Sequence, residues 1–327
     1  MQEFTHWHPV YLSENLKEKP VSIKLNNFSI VLFRNKNKTV SALVNECPHR
    51  RMKLSEGKVE EDRIVCPYHG WKISKSGNCT IPSGGEQKSK HPKFTAFEIH
   101  GVIWIRLLES ETGFPIFDIE DLHHISTVSN VINSPLEIVL DNFTETEHTS
   151  SVHALLGYDS EDLPNIEIEL TTKENSVRLY NRGKQKKIPF IVRSFLDINK
   201  NDKFIDDWTT YFSPIYTVYD QYWEDSKTGE KRKNFLKIYV FFNPIDKDNT
   251  EIFAFTFMKY NKLGKFGLNL LVKPSMKYIV DLEVGLDKQM IEKIENKETS
   301  LSGQKLSKFD KALGPNRSKI KKIYYGR

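Results

Sequence analysis

The amino-acid sequence predicts an α+β protein of two domains, and three observations carry that prediction. The first third is a series of short β-like runs broken by turn residues. From about residue 166 to residue 259 the chain returns to strand runs, and helix-compatible stretches bracket that second series. At 327 residues the chain has the length of roughly two domains of the usual size. Its 38% hydrophobic and 28% charged residues are an ordinary globular composition, enough to bury a core without disulfide staples.

In the first third, Val21–Leu25, Ile30–Phe33, Val40–Val44, Ile64–Val65, Trp71–Ile73, Phe97–Ile99 and Val102–Leu107 read as strands. Turn clusters at Asn26–Asn27, Asn35–Asn37, Ser76–Asn78 and Pro82–Gly85 separate them, which argues for a small antiparallel sandwich or barrel. Glu109–Pro115 reads as an exit linker, so the expected domains are 1–110 and 111–327. Beyond it, Leu136–Leu156 is helix-compatible, with Gly157 placed to end it. The strands expected next are Ile166–Leu170, Val177–Tyr180, Phe190–Phe195, Tyr211–Val218, Phe235–Phe242 and Ile252–Met258. After Lys273–Pro274 a pattern of helical period runs from Met276 to about Asn296, followed by a basic tail ordered by packing.

Composition narrows the function classes. The net charge of +5 is mild, and the basic run Arg182–Lys187 reads as solvated surface, with steering of an acidic redox partner as the sharper reading. No basic-aromatic motif supports nucleic-acid binding. No apolar run of about 18 residues suggests a membrane span, and no signal-like segment opens the chain, so a cytoplasmic location is the expectation. Three cysteines are too few, and an odd number, for a disulfide framework; Cys79 is left as a structural thiol in a turn.

Cys47 and Cys66 stand beside histidines in the patterns Cys47-Pro-His49 and Cys66-Pro-Tyr-His69. Two thiolates and two imidazoles satisfy tetrahedral zinc or an iron–sulfur cluster equally well as a donor set. The order within each pair favours iron, because two similar loops, each with Cys first and His second, supply one ligand of each kind to each of two irons. The strings CPHR and CPYHGW resemble the Rieske motif of ring-hydroxylating and related oxygenases, down to Arg50, Tyr68, Gly70 and Trp71.

The stretch LDNFTETEHTSSVHALLG holds two histidines five residues apart. On an ideal helix they point about 140° apart, so both reach one metal only if the helix is bulged or ends between them. Asn142, Glu145, His148 and His153 resemble the mononuclear iron motif of Rieske non-haem iron oxygenases. That resemblance implies a facial triad of His148, His153 and a downstream carboxylate. Asp281, Glu283 and Asp287 are the candidates; the string LDKQMIEKI resembles the family's acidic-ligand segment and selects Asp287, with Asp281 next. At position 145 the family usually has Asp, carried over as the bridge between one subunit's cluster histidine and the neighbour's iron histidine; Glu145 adds a methylene.

The resemblance covers essentially the whole chain. It implies an N-terminal all-β Rieske domain, then a helix-grip, lipid-transfer-like catalytic domain with an antiparallel sheet and a C-terminal helix. It further implies a [2Fe–2S] cluster on Cys47, His49, Cys66 and His69, Fe(II) on His148, His153 and Asp287, and electrons from NAD(P)H through a separate reductase, directly or via a ferredoxin. The expected substrates are O2 and a small apolar or aromatic molecule, and the expected assembly is a homotrimer. The rival readings are an electron-transfer protein fused to a non-catalytic ligand-binding domain, and a zinc-stabilised binding protein.

Overall fold

The computed structural model describes residues 2–188, 190, 193, 198–259 and 269–327, without the side chains of 269–276. Its contacts divide the chain into two compact units, Met1–Pro115 with Asn243–Lys247 and Ile116–Phe242 with Asp248–Arg327.

The first unit is built of short strands: β1 (His8–Leu12), β2 (Val21–Leu25), β3 (Phe28–Arg34), β4 (Val40–Val44), β5 (Lys58–Glu60) and β6 (Arg63–Val65). There follow β7 (Lys72–Ser74), β8 (Asn78–Thr80), β9 (Glu86–Lys88), β10 (Phe94–Ile99) and β11 (Val102–Leu107). They form sheets in the orders β1-β11-β10, β2-β3-β4 and β5-β6-β7-β8-β9. Strand β3 is apolar on both faces, and its period-two alternation serves two cores. Ile30 and Leu32 pack with Val10, Leu25 and Ile103, whereas Val31 and Phe33 pack with Ile64, Ile73 and both motif cysteines. The loops that carry Cys47 and Cys66 are thereby seated on a dry floor. Cys79 lies on β8 rather than in a turn, fully buried in that same core.

The second unit contains β12 (His123–Ile132), β13 (Glu167–Thr172), β14 (Ser176–Lys184), β15 (Lys203–Phe212), β16 (Ile215–Glu224), β17 (Lys231–Pro244) and β18 (Thr250–Lys259). Their sheet order is β12-β18-β17-β16-β15-β14-β13, so β13 to β18 meander and β12 closes onto the last strand. A long helix, Asn269–Glu292, packs on this sheet. Val280, Val284 and Ile291 on one stripe of it meet Val128, Ile132, Val240 and Ala254 of the strands. Each such side chain taken out of water contributes roughly 1.5–3 kcal/mol, which fixes the helix's rotation about its own axis.

Several elements differ from expectation. The stretch 136–156 is not one helix: Leu136–Phe143 and Thr149–Val152 are separate. The Thr144 hydroxyl turns back to donate to the Leu140 carbonyl, and the Glu145 carboxylate takes the backbone N–H groups of Glu147 and His148, at 2.5 and 3.2 Å. That side chain replaces the helical acceptors and ends the run. The expected strand Tyr211–Val218 is a hairpin, because Pro214 cannot donate to a ladder and the chain turns there between β15 and β16. Most of the expected strand Phe190–Phe195 lies outside the described residues; Phe190 and Arg193, which are described, are helical. The last long helix begins at Asn269, before Pro274, and ends at Glu292. The basic tail holds a helix, Leu313–Lys319, and buries Ile320 and Tyr324 in the main core.

Candidate active site

The two cysteine loops close in the same way. Cys47 N–H donates to the Met52 carbonyl at 2.8 Å and Arg51 N–H to the Cys47 carbonyl at 2.9 Å. Cys66 N–H donates to Trp71 at 2.8 Å and Gly70 N–H to Cys66 at 3.0 Å, the same offsets of five and four residues. The fourth residue after each cysteine takes the left-handed region, Arg51 at φ 57° and Gly70 at φ 70°. Glycine enters that region without penalty, which is the physical use of Gly70.

These loops place buried sulfurs beneath exposed imidazoles. Cys47 and Cys66 are 1% and 2% exposed and face one another, whereas His49 and His69 are exposed, with ring centroids 4.6 Å apart. Trp71 stacks on His49 at 4.9 Å and Tyr68 lies against His69 at 3.8 Å, which orients both rings. Burial pushes the Cys47 thiol up to about 11, against the backbone N–H groups of His49 and Arg50 that favour its thiolate. A metal is what makes such a buried sulfur pair anionic. Among the described residues two sets of three or more donor atoms converge within 4.8 Å, and these four residues form neither. A single zinc ion needs such convergence. An inner sulfur pair and an outer imidazole pair instead match a two-iron cluster with one iron at each end.

The first convergent set is His148, His153 and Asp287; the other, Asp159, Glu161 and Asp162, is engaged with Lys184 and Lys187. His148 stands immediately before the helical turn Thr149–Val152 and His153 immediately after it, so the break in the helix brings both imidazoles to one point. Their ring centroids are 5.0 Å apart. Asp287 Oδ1 lies 2.8 Å from His153 Nε2 and 3.3 Å from His148 Nε2. His148 Nε2 is buried and makes no hydrogen bond of good geometry. Two imidazole nitrogens and one carboxylate oxygen meeting in this way are the donor set of a mononuclear non-haem iron site.

Both imidazoles are backed by acids. Glu145 Oε1 pairs with His148 Nδ1, and Glu283 Oε2 lies 3.4 Å from His153 Nδ1. A carboxylate at Nδ1 holds the proton there and turns Nε2 toward the metal. Glu283 and Asp287, four residues apart, share one face of the long helix. Burial opposes charge on His148, but Asp287 and Glu145 outweigh it and push the imidazole up to about 10. Burial would likewise raise Asp287, yet His148 and His153 hold it far below the ordinary carboxylate range. Asp281 is exposed, about 120° around the helix from Asp287, and Glu292 accepts from Asn133 N–H at 2.9 Å, so neither joins the set.

The basic run at 182–187 is not simply solvated surface. Lys186 is 8% exposed, and its ammonium donates to the Thr149 and His153 carbonyls at 2.8 and 2.7 Å. It clamps the end of the turn that carries both histidines. Gly157 sits at φ 93° against Thr149, where a Cβ would collide with the threonine side chain, so only glycine lets the chain pass.

A cavity of about 120 Å³ opens beside the triad. Trp208, Tyr219, Ile238 and Ala254 from the sheet face and Val280 and Val284 from the helix supply its apolar walls. Asn142, from the motif, also lines it, as do Asp206 and Gln221. Burial pushes Asp206 up to about 7. No motif of the sequence marks the roles of Lys186, Asp206 and Gln221, and Glu283 stands in it only as a candidate metal ligand. For Asp206 and Gln221 a signal existed: each is an acid or amide on the inward phase of an alternating strand, Phe204-x-Asp206-x-Trp208 and Tyr219-x-Gln221-x-Trp223.

Residues 6–90 match the Rieske [2Fe-2S] domain family. The chain is 31% identical over 169 residues to methylxanthine N1-demethylase of Pseudomonas putida, 45% of this chain and 46% of that protein. It is 24% identical over 239 residues to Protein TIC 55, chloroplastic, of Arabidopsis thaliana, 64% of this chain and 43% of that protein. The matched region therefore spans less than half the length of either relative. In structure, dicamba monooxygenase bound to 3,6-dichlorosalicylic acid superposes with a TM-score of 0.81 at 18% identity, covering 99% of this chain and 98% of that one. The chain thus carries a Rieske [2Fe-2S] domain match over residues 6–90 and shares the fold of dicamba monooxygenase.

Proposed function

We propose that the chain is the terminal oxygenase of a Rieske non-haem iron system that hydroxylates or dealkylates a small molecule. The observation that carries this reading is the convergence of His148, His153 and Asp287 within 4.8 Å beside a cavity, in a chain whose residues 6–90 match a Rieske domain. A demethylase among the relatives and a monooxygenase among the structural neighbours support it.

In this proposal residues 1–110 hold the cluster on Cys47, His49, Cys66 and His69, and residues 111–327 hold Fe(II) on His148, His153 and Asp287. When bound, the cluster supplies electrons singly and the ferrous iron activates O2. The protein's own part is positional. Glu145 fixes the His148 tautomer and is the bridging acid, its longer side chain reaching as the family's Asp does. Lys186 anchors the histidine turn, and the apolar sheet face excludes water around the substrate. Electrons come from NAD(P)H through a separate reductase, directly or via a ferredoxin. A homotrimeric ring, the form a closing heterologous interface takes, brings one subunit's cluster to the next subunit's iron. The proposed setting is the cytoplasm. Among the described residues no helix is long and apolar enough to cross a membrane. Fractionation decides the compartment, since the TIC 55 relative is chloroplastic.

Metal analysis tests the reading. About three irons per chain fit an oxygenase, and about two fit an electron carrier fused to a non-catalytic module. His148→Ala is expected to keep the cluster's visible spectrum and abolish NADH-coupled product formation with a surrogate reductase. Retained turnover in that variant overturns the iron-site assignment.

A further inference from the structure

The cavity beside the triad sets apolar walls beside polar residues that include Asn142, Thr256 and a pair that meets across the sheet. Asp206 on β15 and Gln221 on β16 stand opposite each other in the ladder, 5% and 7% exposed, and Gln221 Nε2 donates to Asp206 Oδ1 at 3.0 Å. That bond sets the amide's orientation and turns Gln221 Oε1 away from Asp206. The oxygen is buried and has no hydrogen-bond partner. Thr256 Oγ1, from β18, lines the same cavity, is fully buried and is likewise unpartnered. Native interiors pair nearly all such atoms with protein, water or a bound group, so two acceptors facing one cavity call for a partner there. Charge points the same way. Asp206 and Glu283 line the cavity, and none of the described lining residues is Lys or Arg. A carboxylate ligand would meet these buried acids, and the imidazoles of the cavity, His148 and His153, are already paired with Glu145, Asp287 and Glu283.

Resting on the oxygenase reading of this cavity, we propose that its substrate is a small neutral or cationic molecule carrying an N–H or O–H donor, bound by Gln221 Oε1 and the Asp206 carboxyl group, and is not a carboxylate. The apolar walls hold the rest of the ligand, and the pair of acceptors on the sheet sets which carbon faces His148, His153 and Asp287. This sharpens the expectation of a plainly apolar or aromatic substrate: the pocket selects a polar handle on such a skeleton.

A cavity of this volume is close to one that takes a single benzene-sized ring. The probes are therefore benzylamine, benzyl alcohol, anisole and benzoate, titrated calorimetrically into the full chain loaded with cluster and iron, without O2. Benzylamine and benzyl alcohol are expected to bind about tenfold or more tightly than anisole and benzoate, since buried acceptors reject a ligand that leaves them unpaired. In Gln221→Leu the advantage of both donors over anisole is expected to vanish. Asp206→Asn is expected to reduce the benzylamine advantage most. Thermal melts identify any variant that fails to fold, and Thr256→Val then serves as the second test. Benzoate or anisole binding as well as the donors, an advantage that survives Gln221→Leu, or no binding by any donor overturns the proposal. Iron content reports on the oxygenase reading separately: a donor preference without the third iron retires the oxygenase, whereas the third iron without a donor preference retires the proposal.

Discussion

Replacing Lys186 with methionine is expected to loosen the iron site while leaving the cluster intact. The ammonium makes two hydrogen bonds, at 2.8 and 2.7 Å, to the carbonyls of Thr149 and His153. Bonds from a charged donor contribute roughly 1.5–3 kcal/mol each. Burial disfavours the ammonium and lowers its pKa, so part of that gain is offset by desolvation that methionine does not incur. The net loss is on the order of 2–4 kcal/mol, or roughly 4–16 °C in the melting of a unit this size. The His153 carbonyl loses its buried partner, and the ring that projects from the same residue loses its fixed position. Lys187→Met is the internal control, because Lys187 is exposed and its pairing with Glu161 at 2.6 Å is a surface ion pair screened by solvent. The assay is circular-dichroism melting with iron analysis of the same samples. The Lys186→Met protein is expected to keep the cluster's visible spectrum and lose iron from the second site; wild-type melting and wild-type iron content together refute the clamp.

Glu283→Gln removes the carboxylate charge 3.4 Å from His153 Nδ1 and is expected to raise the iron dissociation constant about tenfold, read by competition with a chelator; an unchanged constant shows that Glu283 does not orient the ring. Gly157→Ala places a Cβ against Thr149 at φ 93°, and a stability loss of about 1–3 kcal/mol is expected from denaturant unfolding, with iron lost in parallel. Burial pushes Glu251 up to about 7, with Ser129 Oγ donating to it at 2.6 Å in partial compensation. A carboxyl raised in the folded state contributes stability that is complete below about pH 4.5 and is lost as pH rises toward 7. Glu251→Gln is therefore expected to stabilise the protein at pH 8, by up to roughly 3 kcal/mol, and little at pH 4; equal effects at both values refute the buried charge.

What could be read from the sequence follows from the range of the interactions involved. The residues proposed to hold the cluster are legible because each loop closes on itself. Cysteine, histidine and the left-handed residue fall within five positions, so spacing alone encodes the geometry. The alternation of β3 and the strand runs of the second unit are local for the same reason. The helical period at 276–296 placed Asp287 on a helix, but not its distance to two histidines more than 130 residues earlier. A one-helix reading of 136–156 fails because propensity does not register that the Glu145 carboxylate captures two backbone N–H groups.

Charge was the least legible feature. Along the chain, Lys186 and Lys187 are equivalent members of a basic run, and only the course of β14 toward the Thr149–Val152 turn buries one and exposes the other. Asp206 and Gln221 are likewise unremarkable polar residues until β15 and β16 pair and turn both inward, beside a metal site assembled from other parts of the chain. The α+β class, the two Cys–His pairs and the histidine pair are legible along the chain, because they are written in spacings of a few residues. The tertiary structure decided which acids back each imidazole, which lysine anchors them and what the cavity accepts. Those are long-range contacts made in a dry interior, where a carboxylate or ammonium acquires its role from its neighbours rather than from its own chemistry.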